Sequence, residues 1–207
     1  MEEYRTVLKE ASAEFTERRS RFIGSVRPVK DETSAVEFIR SVRAANREAT
    51  HNVYAYVLRE GQKQRYTDDG EPQGTAGIPV LEVLLKSGLT DAAVVVTRYF
   101  GGILLGAGGL VRAYSHGASL AVQAGGAVRM GACFQAGLRC GYDLYGKVLP
   151  LISEYGGAAD DTSFSDQVTV AFHIPCVQAD AFSAELADRT CGRCAAQFGE
   201  KKFYRIP

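Results

Sequence analysis

The chain has 207 residues, 46% hydrophobic and 23% charged, with 24 basic and 24 acidic side chains and a formal net charge of zero. Such a composition supplies core for two mixed domains and excludes a disordered chain or a polycation that coats nucleic acid. The opening MEEYRTVLKE lacks the basic-then-apolar pattern of an export signal, no apolar run could span a bilayer, and five cysteines point to reduced thiols, so a cytoplasmic protein without a membrane partner is expected.

In chain order, residues 5–10 and 14–29 read as strands, the second carrying ERRSRFIGSV, with Arg19 and Arg21 on one face and Ser20 and Phe22 on the other. Arg18, Arg19 and Arg21 form a local basic cluster of the kind on which any RNA contact must rest, although the run reads first as a solvated strand face. Ser34 and Glu37 make a capping box, and Ala35, Phe38, Ile39 and Val42 fall at helical spacing, predicting a helix over 34–46. HNVYAYVLRE, from His51, is rich in β-branched and aromatic residues and predicts a strand, with His51 a structural residue at its entrance. The turn-rich TDDGEPQGTAG follows Arg65 and Tyr66. Beyond it, Ile78, Leu81 and Leu85 are expected to share a helix face, with Pro79 in the first turn and Gly88 at the close. Ala92 to Val96 is a continuous apolar run, as in a central strand covered on both sides. A helix from Leu110 carries a stripe of small residues, and glycines 125 and 126 end it.

That connection is taken as the domain boundary, giving residues 1–127 and 128–207. The basic and acidic residues number 16 and 15 before Gly126 and 8 and 9 after it, so neither part is polycationic. The second part predicts strand 129–140, helix 143–155 bent or shortened by Pro150, strands 158–164 and 167–174, helix 178–190 and strand 194–205. That βαββαβ order is a ferredoxin-like plait, and the whole chain is of the α+β class. His173, Cys176, Cys191 and Cys194 approach a zinc spacing. A helix over 178–190 would hold the two pairs roughly 18 Å apart, so no metal is expected.

The unusual residues concentrate between Asp68 and Ser115. A glycine loop entering a helix leaves backbone N–H groups free at the positive end of the helix dipole, which suits an anion. The expected ligand-binding set is Arg65, Asp68, Asp69, Glu71, Gly74, Arg98, Tyr99, Gly101, Gly102, Gly106, Gly108, Gly109 and Arg112. Gly108 and Gly109 precede Leu110 at the helix entrance, and Arg98 emerges at a strand end to add charge. The opposing arrangement is that these arginines pair with Asp68, Asp69 or Glu71 and the aromatics pack beneath the loops.

DDGEPQGTAGIP and VVVTRYFGGILLGAGGLVRAYS, with SRFIG and HNVYAYV, resemble the IMPACT/YigZ family across most of residues 18–116. The resemblance implies a first domain shaped like the second domain of a small-subunit ribosomal protein, a mixed sheet with helices whose form is shared with elongation factor G and the GHMP kinases. It also implies a plait like the last domain of elongation factor G. Eukaryotic members of the family carry an RWD domain, missing here, and restrain translational control through a kinase activator. Ile78 stands where the family usually has a basic residue. The function so implied is a translation-associated regulator that binds RNA or the ribosome through the anion site, with no cofactor. The alternative is a phosphate- or nucleotide-handling enzyme in which Asp69 and Glu71 hold Mg²⁺ beside a small phosphate ligand.

Overall fold

The computed structural model describes residues 3–206. In chain order the elements are β1 (Glu3–Val7), β2 (Ala11–Glu17), β3 (Ser20–Pro28), α1 (Glu32–Ala45), β4 (His51–Val57), β5 (Gln64–Thr67), α2 (Gly77–Lys86), β6 (Ala92–Tyr99) and α3 (Ala107–Gly125). There follow β7 (Ala127–Cys140), α4 (Tyr142–Glu154), β8 (Ala158–Phe164), β9 (Val168–Pro175), α5 (Ala179–Arg189) and β10 (Ala196–Ile206). The chain divides into two compact units, residues 4–128 and, with Glu3, residues 129–206.

In the first unit the strands lie in the order β2-β3-β6-β4-β5. Every pair is antiparallel, so the sheet is not mixed as expected. The cause is the place of β6. It runs between β3 and β4 and against both, so the β3-α1-β4 crossover is a βαβ unit split by a strand that comes later in sequence. The apolar run of β6 then serves two layers. Val94 and Val96 join Phe22, Val26, Val53, Val80, Leu84 and Tyr114 beneath α2 and α3, while Ala93 and Val95 join Phe38, Ile39 and Val42 of α1 on the other side. Continuous hydrophobicity is what a strand covered on both faces requires.

Three local expectations change. The stretch 14–29 is a hairpin, with Arg18 and Arg19 forming a two-residue turn at φ 44° and 66°. The cap of α1 is Asp31, whose carboxylate accepts the Ser34 N–H at 2.7 Å while Ser34 Oγ takes the Asp31 N–H, so the box lies three residues earlier than Ser34 and Glu37. In α2 the buried face is Val80, Leu81 and Leu84, whereas Ile78 and Leu85 are exposed.

The close approach of α3 to β3 depends on a missing side chain. A Cβ at Gly24 would overlap the carbonyl oxygen of Gly117 in α3, so helix and sheet meet backbone to backbone there. This contact seats the helix whose first turn carries the glycines of the candidate site.

The second unit has the antiparallel strand order β10-β7-β9-β8 and the βαββαβ element order of a ferredoxin-like plait. Leu138, Leu144, Val148, Ile152, Val170, Phe172, Ile174, Phe182 and Leu186 form its core. Pro150 lies inside α4 without ending it. It is exposed, as is Gly146, whose carbonyl loses its usual helical partner and faces water instead. All five cysteines are free thiols, with Cys191 exposed and Cys194 buried.

Candidate functional site

The acidic loop turns its carboxylates inward, each to a different structural task. Asp68 reaches forward to the start of α2, where its oxygens accept the N–H groups of Gly74 at 2.9 Å, Ala76 at 3.1 Å and Gly77 at 2.8 Å. Ala76, at the N-cap position, has no capping side chain of its own, so the cap is supplied from eight residues upstream. Partial burial pushes the Asp68 carboxyl up, but the three N–H groups outweigh it and hold the pKa below the ordinary value. Asp68→Asn should therefore cost about 1–2 kcal/mol at neutral pH. A depressed folded pKa contributes stability above the unfolded value of about 3.9 that is lost as pH falls through the folded value. Urea titrations should show the difference between wild type and variant shrinking below pH ~4.

Asp69, with φ at 45°, accepts Arg43 Nη2 at 2.7 Å and the Asn52 N–H at 2.6 Å, and its carbonyl lies 2.7 Å from His51 Nδ1. Since a carbonyl only accepts, Nδ1 carries a proton and Nε2 faces Glu71 Oε1 at 3.8 Å.

Glu71 is 9% exposed, and its Oε1 accepts Arg98 Nη1 at 2.6 Å and the Tyr114 hydroxyl at 2.7 Å. Burial, then the bond to this carboxylate, push the Tyr114 phenol far above its usual range. Arg98 is only 4% exposed. Its guanidinium lies 5.5 Å from the ring centroid of Phe22 and 5.2 Å from that of Phe100, and Nη2 is 3.4 Å from Ser20 Oγ. Its Nε has no hydrogen-bond partner among the described residues. Arg98 thus does not stand open at the strand end as expected. The opposing arrangement, an arginine paired with Glu71, is the one found. The Mg²⁺ reading loses both its ligands, because Asp69 and Glu71 point to separate protein partners, and among the described residues no group of three or more His, Cys, Asp or Glu side chains could hold a metal ion.

The glycine loop leads into α3 one turn earlier than expected. Gly106 is the N-cap residue at φ 71°, and Gly108 and Gly109 lie within the first turn rather than before it. No side chain caps this end. Gly101 serves packing: its N–H donates to Ser20 Oγ at 3.2 Å, and a Cβ there would overlap the carbonyl of Arg19. Gly102 and Gly74 adopt left-handed conformations, at 81° and 77°. The Tyr99 hydroxyl donates to Asn46 Oδ1 at 2.9 Å, beneath the Arg21 guanidinium. Arg65 is exposed on β5 and Arg112 on α3.

Two cavities flank the α3 entrance. The one between the acidic and glycine loops, about 340 Å³, has apolar walls including Phe100, Leu104 and Leu110, with His51 and the charge-balanced Glu71 and Arg98 pair also lining it. The other, about 270 Å³, lies between the β2–β3 turn and α3 and is lined by Phe15, Glu17, Arg18, Gly109, Arg112 and His116. Sequence reasoning named Arg18 within a basic cluster but did not link it to this cavity, and it overlooked Phe15 and His116. The available signal was an Arg-Arg pair between two alternating strands.

The chain is therefore a two-unit α+β protein whose first unit carries a glycine-entered helix across an antiparallel sheet. Residues 18–122 match the Impact N-terminal domain, and residues 138–193 match a domain of unknown function (DUF1949). The chain is 37% identical to the IMPACT family member YvyE of Bacillus subtilis, covering 95% of this chain and 91% of that one. It is 35% identical to the IMPACT family member YigZ of Escherichia coli, covering 84% and 87%. A solved structure titled as that of a hypothetical protein superposes with a TM-score of 0.62 at 32% identity, over 97% of this chain and 98% of that one. The chain belongs to the IMPACT family.

Proposed function

We propose that this protein is a translation-associated regulator that binds RNA, free or within the ribosome, at the entrance of α3. The observation that supports this reading most is the concentration of available positive charge around that entrance. Arg18 and Arg112, from two different elements, line one cavity there and, like the adjacent Arg19, are exposed and form no ion pair among the described residues. The uncapped first turn adds backbone N–H groups, and Phe100 and Leu104, the latter 80% exposed, offer apolar surface to unstacked bases. Matches to Protein IMPACT of Rattus norvegicus, at 35% identity over 45% of this chain, fall in with the same reading. With a net charge of zero, binding rests on this local cluster and should be strongly salt-dependent. Sedimentation with purified ribosomal subunits, and anisotropy of a labelled oligouridine, should show binding at low salt that fades as salt rises. Binding to neither at low salt would remove the reading.

A further inference from the structure

We propose that the cavity between the β2–β3 turn and α3 is a ribonucleotide subsite, with Arg18 and Arg112 on the phosphate, His116 beside them and Glu17 on the sugar hydroxyls. The proposal rests on the RNA reading above for its biological ligand, and on the cavity itself for its chemistry.

Its basic groups come from two elements. Arg18 descends from the turn, while Arg112 and His116, four residues apart, lie on one side of α3 in successive turns. Neither arginine has a carboxylate partner among the described residues, so their charge is directed at whatever enters. His116 is held in place by an edge contact with Phe15, centroids 4.6 Å apart at 77°. Gly109, in the uncapped first turn of α3, borders the same space and packs against the Leu105 side chain.

The turn carries a second sign of purpose. A two-residue hairpin turn with left-handed backbone at both positions suits Asn-Gly, and here it is Arg-Arg, at φ 44° and 66°. Each such residue carries a cost of about 1 kcal/mol or more. The conformation is maintained because Gly101 packs without a side chain on the Arg19 carbonyl and donates to Ser20 Oγ. A position that Asn or Gly would fill without strain instead presents guanidinium groups.

Glu17 distinguishes this cavity from a simple phosphate hole. A carboxylate on the border repels a bare anion but accepts from hydroxyls, and a ribonucleotide places hydroxyls one sugar away from its phosphate. The volume, about 270 Å³, admits a sugar and phosphate and leaves the base outside. An RNA chain and a free ribonucleotide share this chemistry.

The test uses the full chain, with anisotropy of labelled oligouridine and of its 2′-deoxy counterpart, and UMP as competitor. Arg18→Gln with Arg112→Gln should weaken oligouridine binding at least about tenfold and reduce the log–log salt slope by about 0.7, the share of the one phosphate contact that the two arginines make together. Glu17→Ala should abolish the preference for ribose over deoxyribose while leaving the oligodeoxyuridine affinity equal to or above that of the wild type, since a repelling carboxylate is also removed. Arg139→Gln, in the other unit, should change neither. Competition by UMP assigns the cavity to free nucleotide as well as chain; its failure restricts the ligand to RNA. Unchanged affinity and slope in the double variant, with an unchanged melting temperature, would overturn the proposal. If the wild type binds neither oligonucleotide, the RNA reading fails and the cavity is judged separately. The His116 imidazole resonance, assigned through His116→Gln, is then followed during titration with UMP. Movement in the wild type and none in the double variant sustains the subsite, and no movement overturns it.

Discussion

Glu71→Ala should destabilise the protein by about 3–5 kcal/mol, the range for removing one partner of a buried ion pair. The variant leaves the Arg98 guanidinium between two aromatic rings without a counter-charge and the Tyr114 hydroxyl without its acceptor, both almost wholly buried. Arg98→Ala should be similarly costly, for the complementary reason that a carboxylate is stranded. Replacing the pair together, by Glu71→Leu with Arg98→Met, should restore most of the loss, since a buried pair exchanged for apolar groups of similar size is close to neutral. Urea denaturation of the three variants measures each of these costs. A cost below about 1 kcal/mol for Glu71→Ala would mean that water reaches the pair.

The next largest effect is expected at Gly24. Gly24→Ala forces a methyl group into the backbone of α3 at Gly117, where nothing flexible can yield, and should cost about 3 kcal/mol. Because α3 carries Gly109, Arg112 and His116, a displaced helix should also weaken oligouridine binding under conditions where the variant remains folded. Melting curves and anisotropy on the same sample separate the two effects. An unchanged melting temperature would show that helix and sheet can part at little cost.

What was legible in the sequence follows from the range over which each signal acts. The apolar run of β6, the periodic faces of α1 and α4 and the βαββαβ order of the second unit are local patterns, and the elements stand close to where those patterns place them. The fate of the charges is not local. Glu71 and Arg98 are 27 residues apart, and only the pairing of β6 with β3 and β4 brings Arg98 beneath the acidic loop. Asp68 was visible as an acid in a turn, but its role as cap to α2 depends on how the intervening loop folds back. The Arg18–Arg19 turn escaped because turn chemistry is recognised by Asn and Gly, and a strained turn lacks that signature by definition. Ile78 and Leu85 were placed on the wrong side of α2 because a short helix with apolar residues nearly all around does not specify its inward face.

The split crossover also has a consequence for synthesis on the ribosome. Strands β3 and β4 emerge before β6, the strand that separates and pairs with both, so neither can complete its place in the sheet until about forty more residues have followed His51 out of the exit tunnel. During that interval Phe22, Val26, Val53 and Ala55 have no permanent cover, and two hydrogen-bonding edges face the cytosol or a neighbouring nascent chain. Loop closure between such distant strands is intrinsically slow. The nascent first unit should therefore depend on holdase chaperones until β6 is released, and a ribosome stalled after β4 has left the exit tunnel but before β6 has should display a chain sensitive to protease throughout β3 and β4.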